Sequence, residues 1–154
     1  MSNLQTQDPI ISKAIEAEAK RQFEGLELIP SENYVSQSVL EAMGSILTNK
    51  YSEGFAGHRY YGGNTHIDVI EQEAIDRAKA LFGVEHVNVQ PYSGSPANFA
   101  VYNAVLEPGD PVSGMNLLDG GHLTHGWKVS ATANFFDSHP YHVKPDGHPA
   151  LEAL

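Results

Sequence analysis

Tyr92-Ser93-Gly94-Ser95-Pro96-Ala97-Asn98-Phe99 joins a strand-like run to a helix-like run through small residues. Ahead of it His86-Val87-Asn88-Val89-Gln90 alternates and is β-branched, which predicts a strand. Behind it Ala97, Val101, Ala104 and Val105 predict the buried face of a helix over 96–106. Such a junction leaves free N–H groups at the helix start, and with the positive end of the helix dipole they suit a phosphate. Ser93 and Ser95 add hydroxyl donors, and Gly94 lets an anion approach the backbone. The alternative is an ordinary N-cap by Ser95 with Pro96 as first helical residue. A Walker loop is excluded because no Gly-Lys-Ser/Thr follows, and a dinucleotide fingerprint because only one glycine is present.

Working outward towards the N-terminus, Asp8 and Pro9 read as N-cap and first residue of a helix. In it Ile11, Ile15, Ala19 and Phe23 form one apolar stripe that needs a docking surface, and Gly25 ends it. Leu26 to Pro30 is extended and runs into the polar cluster Ser31-Glu32-Asn33. Ser36 or Ser38 caps a second helix, Ser38 and Glu41 having capping-box spacing, with Gly44 near its end. Residues 48–64 show neither period, yet hold four aromatics, four glycines, Lys50, Glu53, His58 and Arg59. A loop this dense in functional groups reads either as a site or as a subunit or domain interface. Thr65 and Asp68 open a helix whose Ile67, Ile70, Ala74, Ala78, Leu81 and Phe82 form its buried side, closed by Gly83.

Towards the C-terminus, Glu107-Pro108-Gly109-Asp110 is a turn and Val112 to Leu118 a second strand, with another short strand at Tyr141-His142-Val143. Helix alternating with strand is the rhythm of an α/β sheet with parallel strands, in which ligands sit beyond the carboxyl ends of strands. Ser93 and the run Asp119-Gly120-Gly121-His122-Leu123-Thr124-His125-Gly126 both fall at such ends.

Composition sets limits on the partners. The 154 residues are 41% hydrophobic, with 14 Gly and 9 Pro, the size and character of one globular domain rich in turns. Nineteen acidic residues against nine basic give a charge of −10, which repels nucleic-acid backbones, so an anionic ligand needs a local site. Zero cysteines exclude disulfides and thiolate chemistry. The N-terminus lacks a signal peptide's basic and apolar regions, and no apolar run approaches the roughly 18 residues of a membrane span. The expectation is a soluble cytoplasmic protein that engages neither nucleic acid nor membrane.

Three chemistries compete for the unusual residues. A metal site would draw on His122 with His125, or His139 with His142, but these pairs lie in loop-like sequence without a His-Glu-x-x-His pattern, so no metal is expected. A serine hydrolase would combine Ser93 or Ser95 with His122 and Asp119, yet no Gly-x-Ser-x-Gly elbow exists. The third is a phosphorylated cofactor at Ser93 to Ser95, with His122 over its ring and groups of the 51–61 loop around a substrate. It uses more of these residues than either rival. Glu53 lies among tyrosines, where partial burial would raise its pKa and suit it to carry a proton, although a surface acid is the commoner fate.

Five stretches together carry a resemblance. They are Leu28-Ile29-Pro30-Ser31-Glu32-Asn33, Leu47 to Gly54, Arg59-Tyr60-Tyr61-Gly62-Gly63-Asn64, Asn88 to Ser95 with Ala97-Asn98, and Gly120 to Gly126. In this order they resemble the serine hydroxymethyltransferase family over about residues 8–145. The resemblance implies an α/β, pyridoxal-phosphate-dependent, aspartate-aminotransferase-like fold (type I), with a parallel-type sheet in a truncated large domain. It implies an N-terminal helical arm over 1–47 and the first part of the cofactor-binding domain over 48–154.

The same resemblance implies that Ser93, Gly94 and Ser95 bind the pyridoxal 5'-phosphate phosphate and that His122 stacks on its ring. Ser31 and Tyr61 would hold the amino acid, while Tyr51 and Glu53 reach the site of a neighbouring subunit in a homodimer or tetramer. Glu53 would handle a proton while serine passes its hydroxymethyl carbon to tetrahydrofolate and becomes glycine. Leu117, Gly121 and Leu123 match positions lining the folate site.

Two departures accompany it. Pro30 stands where many members carry alanine, and stiffens the approach to Ser31. The family's cofactor lysine, with the aspartate facing the pyridine nitrogen and the arginine gripping the substrate carboxylate, lies well downstream, and none of the lysines at 13, 20, 50, 79, 128 and 144 has its context. The expectation is the N-terminal third of a glycine hydroxymethyltransferase, inactive by itself. The alternative is a non-catalytic remnant that keeps only binding surfaces.

Overall fold

Asp8 stops one helix and starts the next. In the computed structural model, which describes residues 3–150, α1 (Asn3–Gln7) meets α2 (Pro9–Glu24) at this residue, whose carboxylate accepts from the Ile11 N–H at 3.1 Å. Gly25 closes α2 as the sequence predicts, its N–H reaching the Arg21 carbonyl at 2.9 Å. The predicted docking of the α2 stripe does not occur. Ser12 is the residue of α2 that is buried, and Ile11, Ile15 and Phe23 are exposed. An amphipathic face is buried only where a second surface meets it, and among the described residues none covers this one.

The chain divides into two units, Met1–Gly54 with Arg59–Asn64, and Phe55–His58 with Thr65–Leu154. In the first, an irregular segment leads to α3 (Gln37–Met43), capped by Ser36, whose hydroxyl accepts from the Val39 N–H at 3.4 Å. Ser38 therefore lies inside the helix and the Ser38–Glu41 capping box does not form. A 3₁₀ turn at Ile46–Asn49 enters the aromatic loop. That loop is less irregular than its sequence implies, because β1 (Gly54–Phe55) and β2 (His58–Arg59) pair within it. Arg59 Nη1 donates to the Ser52 and Gly54 carbonyls, both at 2.8 Å, and Lys50 Nζ to those of Tyr51 and Gly62 at 3.0 and 2.8 Å. Both cations thus hold backbone turns.

In the second unit α4 (Thr65–Phe82) ends at Gly83 with φ 64°, a left-handed cap that favours glycine. Its predicted buried side is only partly covered: Ile67 and Ala78 are half-buried, whereas Ile70, Leu81 and Phe82 are exposed. The predicted strand 86–90 is not a strand, since no segment among the described residues pairs with it. Alternation prepares a chain for a sheet, but the ladder needs a neighbour.

Next come α5 (Gly94–Val105), β3 (Pro111–Val112), a 3₁₀ turn at Leu117–Asp119, α6 (Ala131–Phe135) and β4 (Asp137–Ser138). β3 and β4 are parallel, as the helix–strand rhythm predicts, pairing Pro111 with Asp137 and Val112 with Ser138. An isolated bridge joins Met115 to Tyr141, and another joins Val143 to Pro149, in place of the expected strand at 141–143. The expected strand 112–118 is cut short because the Asn116 side chain accepts from the Leu118 N–H at 3.0 Å and winds the 3₁₀ turn, which Gly120 leaves at φ 102°. The predicted buried face of α5 is only partly covered: Ala97 is half-buried, whereas Val101, Ala104 and Val105 are exposed, and Phe99 and Tyr102 face the packing. Phe99 meets Phe135 at 5.4 Å and Phe136 at 6.3 Å, and Tyr102 meets Phe136 at 6.0 Å, so large rings take the covered side. Val112 and Phe136 are the buried hydrophobic residues of this core among the described residues.

Candidate functional site

Ser93 is the N-cap of α5, with extended backbone (φ −159°, ψ 170°), and its hydroxyl makes no capping bond. The alternative cap by Ser95 with Pro96 as first helical residue is therefore set aside, since the helix begins at Gly94. Ser93, Gly94 and Ser95 are exposed, and a Cβ built on Gly94 meets nothing within 4 Å. A groove of about 540 Å³ opens beside them, lined by Tyr92, Ser93, Ser95, Pro96, Phe99, Leu123, Thr124 and residues 129–132. No carboxylate and no lysine lines it. Two hydroxyls, the first-turn N–H groups and the positive end of a helix of 12 residues converge there, an arrangement that favours an anion.

The turn carrying His122 packs beside this groove through Thr124. The His122 ring is exposed, and its Nδ1 lies 2.7 Å from the Thr124 hydroxyl and 3.2 Å from the Thr124 N–H. Thr124 Oγ1 in turn accepts from the Asn98 amide at 2.7 Å. His125 is held from α5 as well, its Nδ1 being 2.7 Å from the Tyr102 hydroxyl, and burial pushes the Tyr102 pKa up. Thr132, 1% exposed, donates to the Thr124 carbonyl at 2.7 Å. Leu123 lines the groove and Leu117 is half-buried in its 3₁₀ turn. Gly121 has a steric role besides any ligand contact, because a Cβ there would collide with the Met115 carbonyl. Asp119 bonds His142 Nδ1 at 2.7 Å rather than His122, which removes the orienting carboxylate from the hydrolase alternative.

The remaining expected residues lie in the first unit. Tyr51 OH donates to the Glu53 carboxylate at 3.4 Å, and the Tyr51 and Tyr61 rings meet edge to face at 5.1 Å. Glu53 is exposed, so the partial burial expected among the tyrosines is absent. Ser31, also exposed, sits in a turn next to a groove of about 340 Å³ lined by Glu18, Arg21, Glu27, Glu32 and their neighbours. There Arg21 donates to both oxygens of Glu18 at 2.7 and 2.8 Å and to Glu27 at 3.4 Å. Hydrogen bonds from Arg21, then from Gln22, hold the Glu18 carboxyl down to about 2.

Asn98, Thr124 and Thr132 were given no role by the sequence. The legible signal was the four-residue spacing of Asn98 and Tyr102, which places them on one face of α5 opposite a turn with two histidines. Among the described residues no group of three or more His, Cys, Asp or Glu side chains is arranged to hold a metal, and no helix is long and apolar enough to cross a membrane.

These features define an α/β protein with an open helix N-terminus beside a histidine-bearing turn. A family model described as serine hydroxymethyltransferase matches residues 4–152, and the chain belongs to that family. It is 61% identical over 146 residues to the serine hydroxymethyltransferase of Acidothermus cellulolyticus, covering 95% of this chain and 34% of that protein. It is 61% identical over 147 residues to that of Desulfotalea psychrophila, covering 96% of this chain and 35% of the relative. The chain spans about a third of the length of the curated relatives it matches.

Proposed function

We propose that this chain forms the first part of a glycine hydroxymethyltransferase, a cytoplasmic enzyme that interconverts serine and glycine with pyridoxal 5'-phosphate as cofactor and tetrahydrofolate as one-carbon carrier. In this reading residues 1–47 are a helical arm, and 48–154 begin the large domain of a type I, aspartate-aminotransferase-like fold. The observation that carries it is the uncapped, open start of α5 at Ser93 to Ser95. A phosphate fits there: the cradle is exposed, empty above Gly94, and free of carboxylates.

The bound cofactor supplies an electron-withdrawing ring for bond breaking at the substrate α-carbon. The chain's own residues bind and orient. Ser93, Ser95 and the first-turn N–H groups of α5 take the phosphate, and His122 faces the ring. Ser31 and Tyr61 hold the amino acid, and Leu117, Gly121 and Leu123 line the folate site. Tyr51 and Glu53 serve a neighbouring subunit of a homodimer or tetramer, Glu53 handling a proton there. Their exposure, with the Tyr51 hydroxyl on the Glu53 carboxylate, leaves them available to another chain.

The test is a chimera in which these residues replace the corresponding first third of the Acidothermus cellulolyticus relative. Tetrahydrofolate-dependent conversion of serine to glycine is expected, with its loss on Glu53→Gln. Hybrid dimers of that variant with a Ser93→Ala, Ser95→Ala variant should regain part of it. A folded chimera without turnover would sink the reading.

A second reading, in which the chain by itself binds but does no chemistry, is favoured by the absence of lysine from the groove lining. Borohydride reduction of the chain mixed with pyridoxal phosphate then labels no single lysine stoichiometrically. Specific labelling of one lysine, with turnover, would overturn it.

A further inference from the structure

Three donors and acceptors line up between α5 and His122 in a fixed sense. A main-chain N–H can only donate, so the Thr124 N–H at 3.2 Å requires His122 Nδ1 to accept. The Asn98 amide donates to Thr124 Oγ1 at 2.7 Å, which turns the hydroxyl proton toward Nδ1, also at 2.7 Å. Were the Asn98 amide turned over, the hydroxyl would donate to Asn98 and Nδ1 would have to carry a proton facing the Thr124 N–H. The main-chain N–H decides between the two arrangements. Thr132 fixes Thr124 from its other side, through its carbonyl at 2.7 Å.

We propose that Asn98 and Thr124 are positioning residues that fix the ring orientation of His122 and hold it as the Nε2–H tautomer. This rests on the reading above, in which His122 faces the cofactor ring. With Nδ1 occupied by two donors, the ring cannot turn about its χ2 axis without breaking both bonds, and the remaining N–H points away from Thr124. Asn98 sits one turn beyond Gly94 and Ser95 on α5, so the helix that offers the anion cradle also mounts the imidazole. The distance between phosphate end and ring partner is then set by one rigid element rather than by two loops. Tyr102, one turn further, holds His125 in parallel through its own Nδ1.

The experiment is a two-bond ¹H–¹⁵N correlation of the histidine rings in the ¹⁵N-labelled 154-residue chain, with His122→Gln used to assign the signal. His122 is expected as a single Nε2–H tautomer in the parent chain. Thr124→Val removes the hydroxyl and leaves the 3.2 Å main-chain N–H as the remaining donor to Nδ1, so it should loosen the preference to a mixture. Thr124→Ser should restore the single form, and Asn98→Leu should weaken it. His125, held by Tyr102, should be unchanged throughout and reports whether the fold survives. An Nδ1–H or mixed His122 in the parent chain would overturn the proposal, as would a Thr124→Ser spectrum like that of Thr124→Val. Pyridoxal phosphate affinity, measured by fluorescence on the same variants, separates the two readings. A locked His122 whose loss leaves that affinity unchanged supports the positioning role and removes His122 from the cofactor ring.

Discussion

The Thr132 hydroxyl, on a side chain 1% exposed, is bonded to the carbonyl of the residue that holds His122. Thr132→Val keeps the shape and removes the donor, leaving a partly buried carbonyl without that partner, a loss of about 0.5–1.5 kcal/mol. A lower urea midpoint with unchanged slope is expected, and an unchanged midpoint would show the bond to be dispensable. Glu18 gives a second test at this scale. Hydrogen bonds from Arg21, then Gln22, hold its carboxyl at about 2 against an ordinary 4.5. A carboxyl depressed by folding contributes stability that is fully present above about 4.5 and is lost as pH falls through about 2. Carboxyl ¹³C titration should place Glu18 well below the ordinary 4.5, and Arg21→Gln should return it toward that value. The Thr132 bond was not legible in the sequence, because which hydroxyl meets which carbonyl depends on how turns fold against one another. Glu18, Arg21 and Gln22, in contrast, lie three and four residues apart on one helix, a spacing the sequence does display.

At the scale of elements, what was legible is what is local. Asp8 with Pro9, Ser36 with Gly44, and Thr65 with Gly83 marked helix ends because caps are satisfied within a few residues. The strands were not legible in the same way. Residues 86–90 alternate as a strand should and pair with nothing among the described residues, whereas Pro111–Val112 and Asp137–Ser138 pair through two residues each. The strand–turn–helix junction lies between these cases, its helix start being displaced to Gly94 and its packed face turned to Phe99 and Tyr102. Gly94→Ala tests the cradle at that junction. A methyl there meets nothing within 4 Å, so stability should stay within about 0.5 kcal/mol of the parent. The same methyl occupies the space a phosphate needs, so pyridoxal phosphate affinity should fall about tenfold or more, roughly 1.4 kcal/mol. Binding unchanged by Gly94→Ala would move the anion site elsewhere.

Across the whole molecule, the family was legible because its motifs are strings of residues, while the packing was not, because burial depends on surfaces the string does not name. The α2 stripe has the right period and is left open. At its C-terminal end and in the segment that follows, Phe23, Leu26 and Leu28 are 91%, 93% and 85% exposed. Covering each would contribute about 1.5–3 kcal/mol. Three together reach roughly 5–9 kcal/mol, which spans submillimolar to submicromolar association before ordering costs are subtracted. The 154-residue chain is therefore expected to self-associate at tens of micromolar, with a concentration-dependent mass in sedimentation velocity. Replacing Phe23, Leu26 and Leu28 together by Ser should return it to the monomer mass. Helical circular dichroism should be retained, because α2 has Ser12 rather than any of these residues buried. A parent chain that stays monomeric across that range would show that these exposed side chains do not drive association.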